Sequence, residues 1–258
     1  MIPKIIHYCW FGKNPKPLLA EKCIKSWKKY CRDYEIIEWN EDNYDLSQAP
    51  LYVRQAYEAK KWAFVTDYVR LQIVYEHGGI YVDTDVEFRK KPDALLAHQA
   101  YFGFETKEYI ATGLGFGAVK GCPILKELMD DYQNIPFLLE DGTYDLLPCP
   151  VRNTEVFMKH GLQQDGTLQM LPGDVMVLPK EYLAPIEQMT AELICTPNTV
   201  SIHWYSGTWC PEEEQKEREA YYNWMQKKNI MEFLSRTGKR LLGEHLYARM
   251  KDAVKKII

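Results

Sequence analysis

A chain of 258 residues, 46% hydrophobic and 26% charged, has room for one α/β domain with a sizeable core, or one domain and a small appendage, and the make-up of a soluble globular protein. A net charge of −4 gives no global pull toward nucleic acid, although nine Lys/Arg stand against three Asp/Glu from Lys227 to Ile258, leaving the rest clearly acidic. Seven cysteines without Cys-x-x-Cys spacing argue against a zinc site or a disulfide framework and for a reducing cytosol. The opening MIPKIIHYCWFG is too short and too polar for a signal peptide, and no apolar run approaches membrane-spanning length. An aromatic content of 13%, with 18 Tyr and 7 Trp, suits either a stacking surface for sugars or bases or a well-packed core.

In chain order, KIIHYCWF (4–11) reads as a buried first strand ending at Gly12. Leu19, Cys23, Ile24 and Trp27 recur at helical spacing in LLAEKCIKSWKKY, and YEIIEWN is a second short strand. Strand, helix and strand within so short a span predict a βαβ unit and a parallel sheet. AKKWAFVTDYVRLQIVYEHGG is the longest helical signal, apolar nearly all round from Trp62 to Tyr75, hence buried, and it stops at Gly78 or Gly79. IYV is then a short strand with Asp83-Thr84-Asp85 at its exit, and VEF continues beyond it. Strands follow at Tyr101–Phe104 and Leu114–Val119, and a helix from about Pro123 to Tyr132. Residues 134–175 are rich in turn formers and carry no clear assignment; VMVLP and TVSIHW are late strands, and the tail from Pro211 on is helical. There is no internal repeat, and the expected division is a catalytic domain over 1–210 and a helical extension over 211–258.

The carboxylates Asp83 and Asp85 carry the first chemical signal. An Asp-x-Asp at a strand exit holds a hard cation such as Mn2+ or Mg2+ while leaving room for water and phosphate oxygens, and ligands of open α/β sheets sit at such exits. Taken alone the motif is weak, and a pair of solvated turn aspartates reads equally well. Asp67 and Arg70 add to it, because i,i+3 spacing puts both on one face of a helix otherwise made of Trp62, Phe64, Val65, Tyr68, Val69, Leu71, Ile73 and Val74. A buried charge must be paired or engage a ligand, so the two form a self-contained ion pair, bind substrate, or do both.

The block AFVTDYVRLQIVYEHGGIYVDTDV, with IPKIIHYCWFG before it, resembles the DXD-containing sugar-transferase family. That family includes capsular and exopolysaccharide glycosyltransferases and yeast initiating mannosyltransferases, with the catalytic domains of clostridial glucosylating toxins more distant. The likeness is good over residues 1–120 and weak around His203. It implies a GT-A fold: a Rossmann-like, mostly parallel central sheet with flanking helices. It also implies a nucleotide-sugar donor whose diphosphate is bridged by Mn2+ or Mg2+. By that resemblance Trp10 stacks on the donor base, where a core tryptophan is the plainer reading. Asp67 and Arg70 hold the donor sugar and phosphate, Tyr81 contacts the donor near the metal or is simply a strand aromatic, Asp83 binds ribose, sugar or metal, and Asp85 ligates the metal.

A second fragment, SIHWYSGTW, leaves a late strand with His203, Trp204, Ser206 and Trp209. His203 is a plausible further ligand, since imidazole suits Mn2+ better than Mg2+; a core histidine among packing tryptophans is the alternative. The family often closes this loop with serine and tryptophan; here Thr208-Trp209 stands instead, which leaves open whether His203, Ser206 or Thr208 touches metal or phosphate, with Trp209 on the donor. ATGLGFGAVKG, with Gly113, Gly115 and Gly117, lacks the Gly-Lys-Ser/Thr of a phosphate loop and marks either close approach of an acceptor sugar or a tight bend.

The expectation is a metal-dependent glycosyltransferase moving a hexose from a nucleotide sugar, a UDP-hexose by family weight, to an oligosaccharide acceptor of surface-glycan synthesis. The resemblance implies retention; no nucleophile or base is assignable. The tail places Leu241, Leu242, Leu246, Tyr247, Met250, Val254 and Ile257 at helical spacing among Lys and Arg. Such a helix either packs on the domain or lies on an anionic membrane, which would suit a lipid-diphosphate-linked acceptor at the inner face of the cell membrane in a cytoplasmic protein. The alternatives are a toxin-like protein-modifying transferase, a non-catalytic nucleotide-sugar-binding protein, and a two-metal phosphohydrolase, for which too few ligands are in sight.

Overall fold

The computed structural model describes residues 1–187, 190 and 192–207, and beyond them positions 216, 220 and 224. The chain divides into two compact units, Met1–Trp204 and Tyr205–Ile258. All elements named below belong to the first unit; the expected helical tail, its domain edge near Pro211 and Trp209 lie outside the described residues.

The first βαβ unit forms as its pattern predicts. β1 (Ile5–Cys9) runs parallel to β2 (Glu35–Trp39), paired from Ile5 opposite Glu35 to Cys9 opposite Trp39. The crossover is α1 (Leu18–Tyr30), which buries Ala20, Cys23, Ile24 and Trp27 and ends on Lys28 and Lys29, where positive charge meets the negative end of the helix dipole. After α2 (Leu51–Glu58), which the sequence reading missed, α3 (Trp62–His77) is buried on most of its length. Gly78, at φ 68°, closes α3 by donating its N–H to the Val74 carbonyl, a conformation glycine adopts at little cost.

β3 (Gly79–Tyr81) lies parallel to β1, with Ile6 opposite Ile80. His7 locks this junction. Its ring is fully buried; Nε2–H donates to the Gly78 carbonyl at 2.8 Å, and Nδ1 accepts from Trp39 Nε1 at 3.1 Å. Both contacts fit the neutral imidazole, and burial lowers its pKa from 6.5 to about 4.

The remaining strands of the main sheet are β5 (Ala100–Gly103), β6 (Phe116–Ala118), β7 (Gln169–Leu171) and β8 (Val175–Leu178), in the order β2-β1-β3-β6-β5-β8-β7. β2, β1, β3, β5 and β8 point one way, and β6 and β7 run against them. The result is the expected α/β sheet, mostly parallel by strand direction. Helices α4 (Pro123–Asp130) and α5 (Cys149–Lys159) flank it; α5 and β7 fill part of the 134–175 stretch whose turn-rich sequence gave no assignment.

VEF does not extend β3. The chain turns at Asp83–Asp85, where the Val86 N–H meets the Asp83 carbonyl, and β4 (Val86–Phe88) leaves the main sheet to pair antiparallel with β9 (Ser201–His203). Trp27 of α1 anchors that detour by donating its indole N–H to the Val86 carbonyl at 2.7 Å.

Candidate active site

The chain's carboxylates meet beyond the carboxyl ends of the parallel strands, where open α/β sheets bind ligands. Asp83 and Asp85 leave β3. The β4–β9 pairing sets Val86 opposite His203, and the Trp204 N–H reaches the Asp85 carbonyl, so His203 arrives against Asp85 with Nε2 3.1 Å from Oδ1. Asp83, Asp85 and His203 each offer one ligand atom within 4.8 Å of the others. Burial by itself would lower the His203 pKa, but the Asp85 carboxylate overrides it and the net shift is upward.

α3 supplies a permanent cation beside this trio. Asp67 and Arg70, 7% and 3% exposed, share one face and form an ion pair, Arg70 Nη2 to Asp67 Oδ1 at 2.8 Å. The pair is not self-contained: Arg70 Nη1 also stands 3.6 Å from Asp83 Oδ2, its Nε donates to the Thr66 carbonyl, and its guanidinium lies 5.2 Å from the Tyr81 ring centre. Burial alone would lower the Arg70 pKa; the facing Asp83, Tyr81 and Asp67 raise it well above the usual arginine value. Burial pushes the Asp67 carboxyl up against the pull of Arg70, and does the same to Asp83, with Asp85 adding to the rise. Tyr81 is buried and donates its hydroxyl to Asp83 Oδ1 at 2.9 Å, so it orients that carboxylate directly.

Gly113 belongs to this site. A Cβ at that position would meet Asp83 Oδ2 at 2.4 Å and Arg70 Nη1 at 3.1 Å, so the bare backbone lets the turn before β6 close on the Asp83–Arg70 contact. The other two glycines serve packing: a Cβ at Gly117 would meet the Tyr101 ring at 2.6 Å, and Gly115 has φ 113°. Cys149, the first residue of α5, lies beside Asp67, and Glu105, just past β5, lies beside His203 and Asp83. The glycine-rich stretch was the signal for Gly113; nothing in the local sequence marks Cys149 or Glu105.

Trp10 sits apart from this cluster at the exit of β1. It is only partly buried, its indole N–H donates to the Asn14 carbonyl at 2.6 Å, and it lines a hollow with Lys16, Glu38 and Asn40. Ser206 falls in the second unit.

The donor chemistry of Asp83, Asp85 and His203, two carboxylates and one imidazole with ligand atoms within 4.8 Å of one another, fits one divalent ion with positions left open. Residues 17–102 match the family described as "Glycosyltransferase sugar-binding region containing DXD motif". Inositol phosphoceramide mannosyltransferase 3 of Schizosaccharomyces pombe is 30% identical over 143 residues, which is 52% of this chain and 37% of the relative, so the chain spans little more than a third of that protein's length. Among solved structures, the PaToxG glycosyltransferase matches at TM-score 0.46 and 19% identity over 61% of this chain and 69% of its own. A glycosyltransferase involved in glycosylation of the major capsid of PBCV-1 matches at TM-score 0.46 and 14% identity over 85% of this chain and all of its own. The matched segment, residues 17–102, carries Asp67, Arg70, Asp83 and Asp85.

Proposed function

We propose that the protein is a metal-dependent glycosyltransferase that moves a hexose from a nucleotide sugar, a UDP-hexose, to a glycan acceptor. The observation that supports this most is the convergence of Asp83, Asp85 and His203 beside the buried Arg70–Asp67 pair. Asp85, His203 and Asp83 would hold the ion, and the imidazole favours Mn2+ over Mg2+. A divalent ion held there would supply the positive charge that offsets a diphosphate leaving group.

The chain's own groups do the rest. Arg70 is held in place by Asp67, Asp83 and the Thr66 carbonyl, so its charge is preorganised toward the anionic leaving group and needs no rearrangement as that charge develops. Asp67 has a second carboxylate oxygen for a sugar hydroxyl and lends negative charge near a sugar acquiring oxocarbenium character. Tyr81 and Gly113 keep Asp83 in one orientation. Trp10 takes the base by stacking. Retention, with the acceptor hydroxyl entering on the leaving-group side, follows the family resemblance, and no side chain is assigned as nucleophile.

In this reading residues 1–210 are the catalytic domain of a cytoplasmic enzyme of capsular or other surface-polysaccharide synthesis. The basic extension 211–258 contacts the inner face of the membrane, near a lipid-diphosphate-linked acceptor. Among the described residues no helix is long and apolar enough to cross a membrane.

The test is release of free nucleoside diphosphate from a panel of nucleotide sugars, a mannosyl donor included, with Mn2+ and with chelator, in the absence of acceptor. One donor should be hydrolysed slowly, chelator should stop it, and Asp85→Asn should lower the rate by roughly 100-fold or more without unfolding the protein. Full activity in that variant refutes the metal assignment; no binding of any nucleotide sugar with Mn2+ present refutes the reaction class.

A further inference from the structure

Strand direction lays the site out in a row along one edge of the sheet. β1 delivers Trp10 and β3 delivers Asp83 and Asp85; the turn into β6 brings Gly113; beyond it β5 delivers Glu105 and β8 delivers Lys180. Glu105 therefore lies on the far side of the Asp83–Asp85 exit from the base-side tryptophan.

The backbone around Glu105 is pinned. Phe104 donates its N–H to the Leu178 carbonyl and bridges to Ile110, the Glu105 N–H meets the Tyr109 carbonyl at 2.8 Å, and Thr106 Oγ1 accepts from the N–H groups of Glu108 and Tyr109. The side chain is partly buried and faces His203, Lys180 and Asp83. Among the described residues its carboxylate accepts no hydrogen bond and joins no ion pair. Lys180 pairs instead with Glu187 at 3.4 Å. Burial raises the Glu105 pKa, with His203 and Lys180 opposing.

A carboxylate on a pinned backbone, partly open and left without a protein donor, is free to accept a hydrogen bond from a ligand. Three ligand chemistries are near. Glu105 does not join the Asp83–Asp85–His203 trio that converges on one ion point, so a metal is not its partner. A phosphate is an anion and would be repelled. Hydroxyl groups of a sugar are what remains, and they belong on the side of the metal site away from the base.

We propose, on the basis of the glycosyltransferase reading above, that Glu105 binds sugar: its carboxylate accepts a hydrogen bond from a hydroxyl of the transferred hexose or of the acceptor.

The experiment compares wild type with Glu105→Gln, which keeps the shape and removes the charge. Four quantities are read: Mn2+ affinity, affinity for the free nucleoside diphosphate, acceptor-free hydrolysis of the preferred nucleotide sugar, and transfer to methyl glycosides of the common hexoses. Mn2+ and nucleoside diphosphate binding should stay within about twofold, because neither carries a sugar hydroxyl opposite Glu105. If the hydroxyl is the donor's, KM for the nucleotide sugar in hydrolysis rises by roughly tenfold or more; if it is the acceptor's, hydrolysis is retained and KM for the methyl glycoside rises by that factor. Unchanged hydrolysis and transfer overturn the role of Glu105 and leave the glycosyltransferase reading intact. Weakened Mn2+ or nucleoside diphosphate binding overturns it by making Glu105 part of the metal–phosphate site. A wild-type protein that binds no nucleotide sugar with Mn2+ refutes both.

Discussion

Replacing Gly113 by alanine separates a site effect from a folding effect. The added methyl would lie 2.4 Å from Asp83 Oδ2, against 3.4 Å for an ordinary contact, so the carboxylate or the turn must yield by about 1 Å. The carboxylate cannot simply rotate away. Its other oxygen accepts the Tyr81 hydroxyl at 2.9 Å, Arg70 stands on the same side as the new methyl, and the Asp83 N–H is bonded to the Gly113 carbonyl at 3.3 Å. Gly113 lies outside the left-handed region, so alanine meets no backbone strain there, and it restricts the unfolded chain, a gain of about 0.4–1 kcal/mol that offsets part of the crowding. The melting temperature should therefore move by only a few degrees, while a displacement of about 1 Å in a metal- and phosphate-binding carboxylate costs roughly 100-fold in turnover. The assay is Mn2+-dependent nucleoside diphosphate release beside a thermal melt on the same preparation. Turnover within about threefold of wild type, with an unchanged melt, would refute the claim that the Asp83 position matters to the chemistry.

Two further outcomes follow from other parts of the fold. His7 is buried neutral with its pKa lowered from 6.5 to about 4, so as pH falls the unfolded chain takes up the proton first. Its contribution to stability is complete above pH 6.5 and is lost as pH falls toward 4, up to about 3 kcal/mol at 1.36 kcal/mol per unit. Chemical denaturation from pH 7.5 down to 4.5 should show this slope in wild type and a flatter one in His7→Gln; parallel curves would count against it. Trp10→Ala should weaken nucleotide-sugar binding in calorimetry by about 1–3 kcal/mol and change kcat much less, with the fold unaltered because the ring is only partly buried; unchanged affinity would take Trp10 out of the donor site.

How far the sequence could be read depended on the distance over which each feature is specified. The β1–α1–β2 unit, the buried helix with Asp67 and Arg70 one turn apart, and its glycine stop are local: side-chain periodicity, i,i+3 geometry and the freedom of Gly78 decide them, and they form as expected. α5 and β7 were harder to see, because both lie in a stretch rich in turn formers and a three-residue strand shows little periodicity. VEF looked like a continuation of β3 for the same reason, until β9 paired with it. The site follows the same division. The residue types Asp-x-Asp and Asp-x-x-Arg were plain in the sequence, yet whether Arg70 also reaches Asp83, whether His203 stands against Asp85, and why position 113 must lack a side chain were decided only when the main sheet brought β3, β6 and β5 to one edge and the separate β4–β9 pairing set His203 beside Asp85. Chemistry is written in residue identity, whereas convergence is a product of long-range strand pairing, which local propensity does not encode.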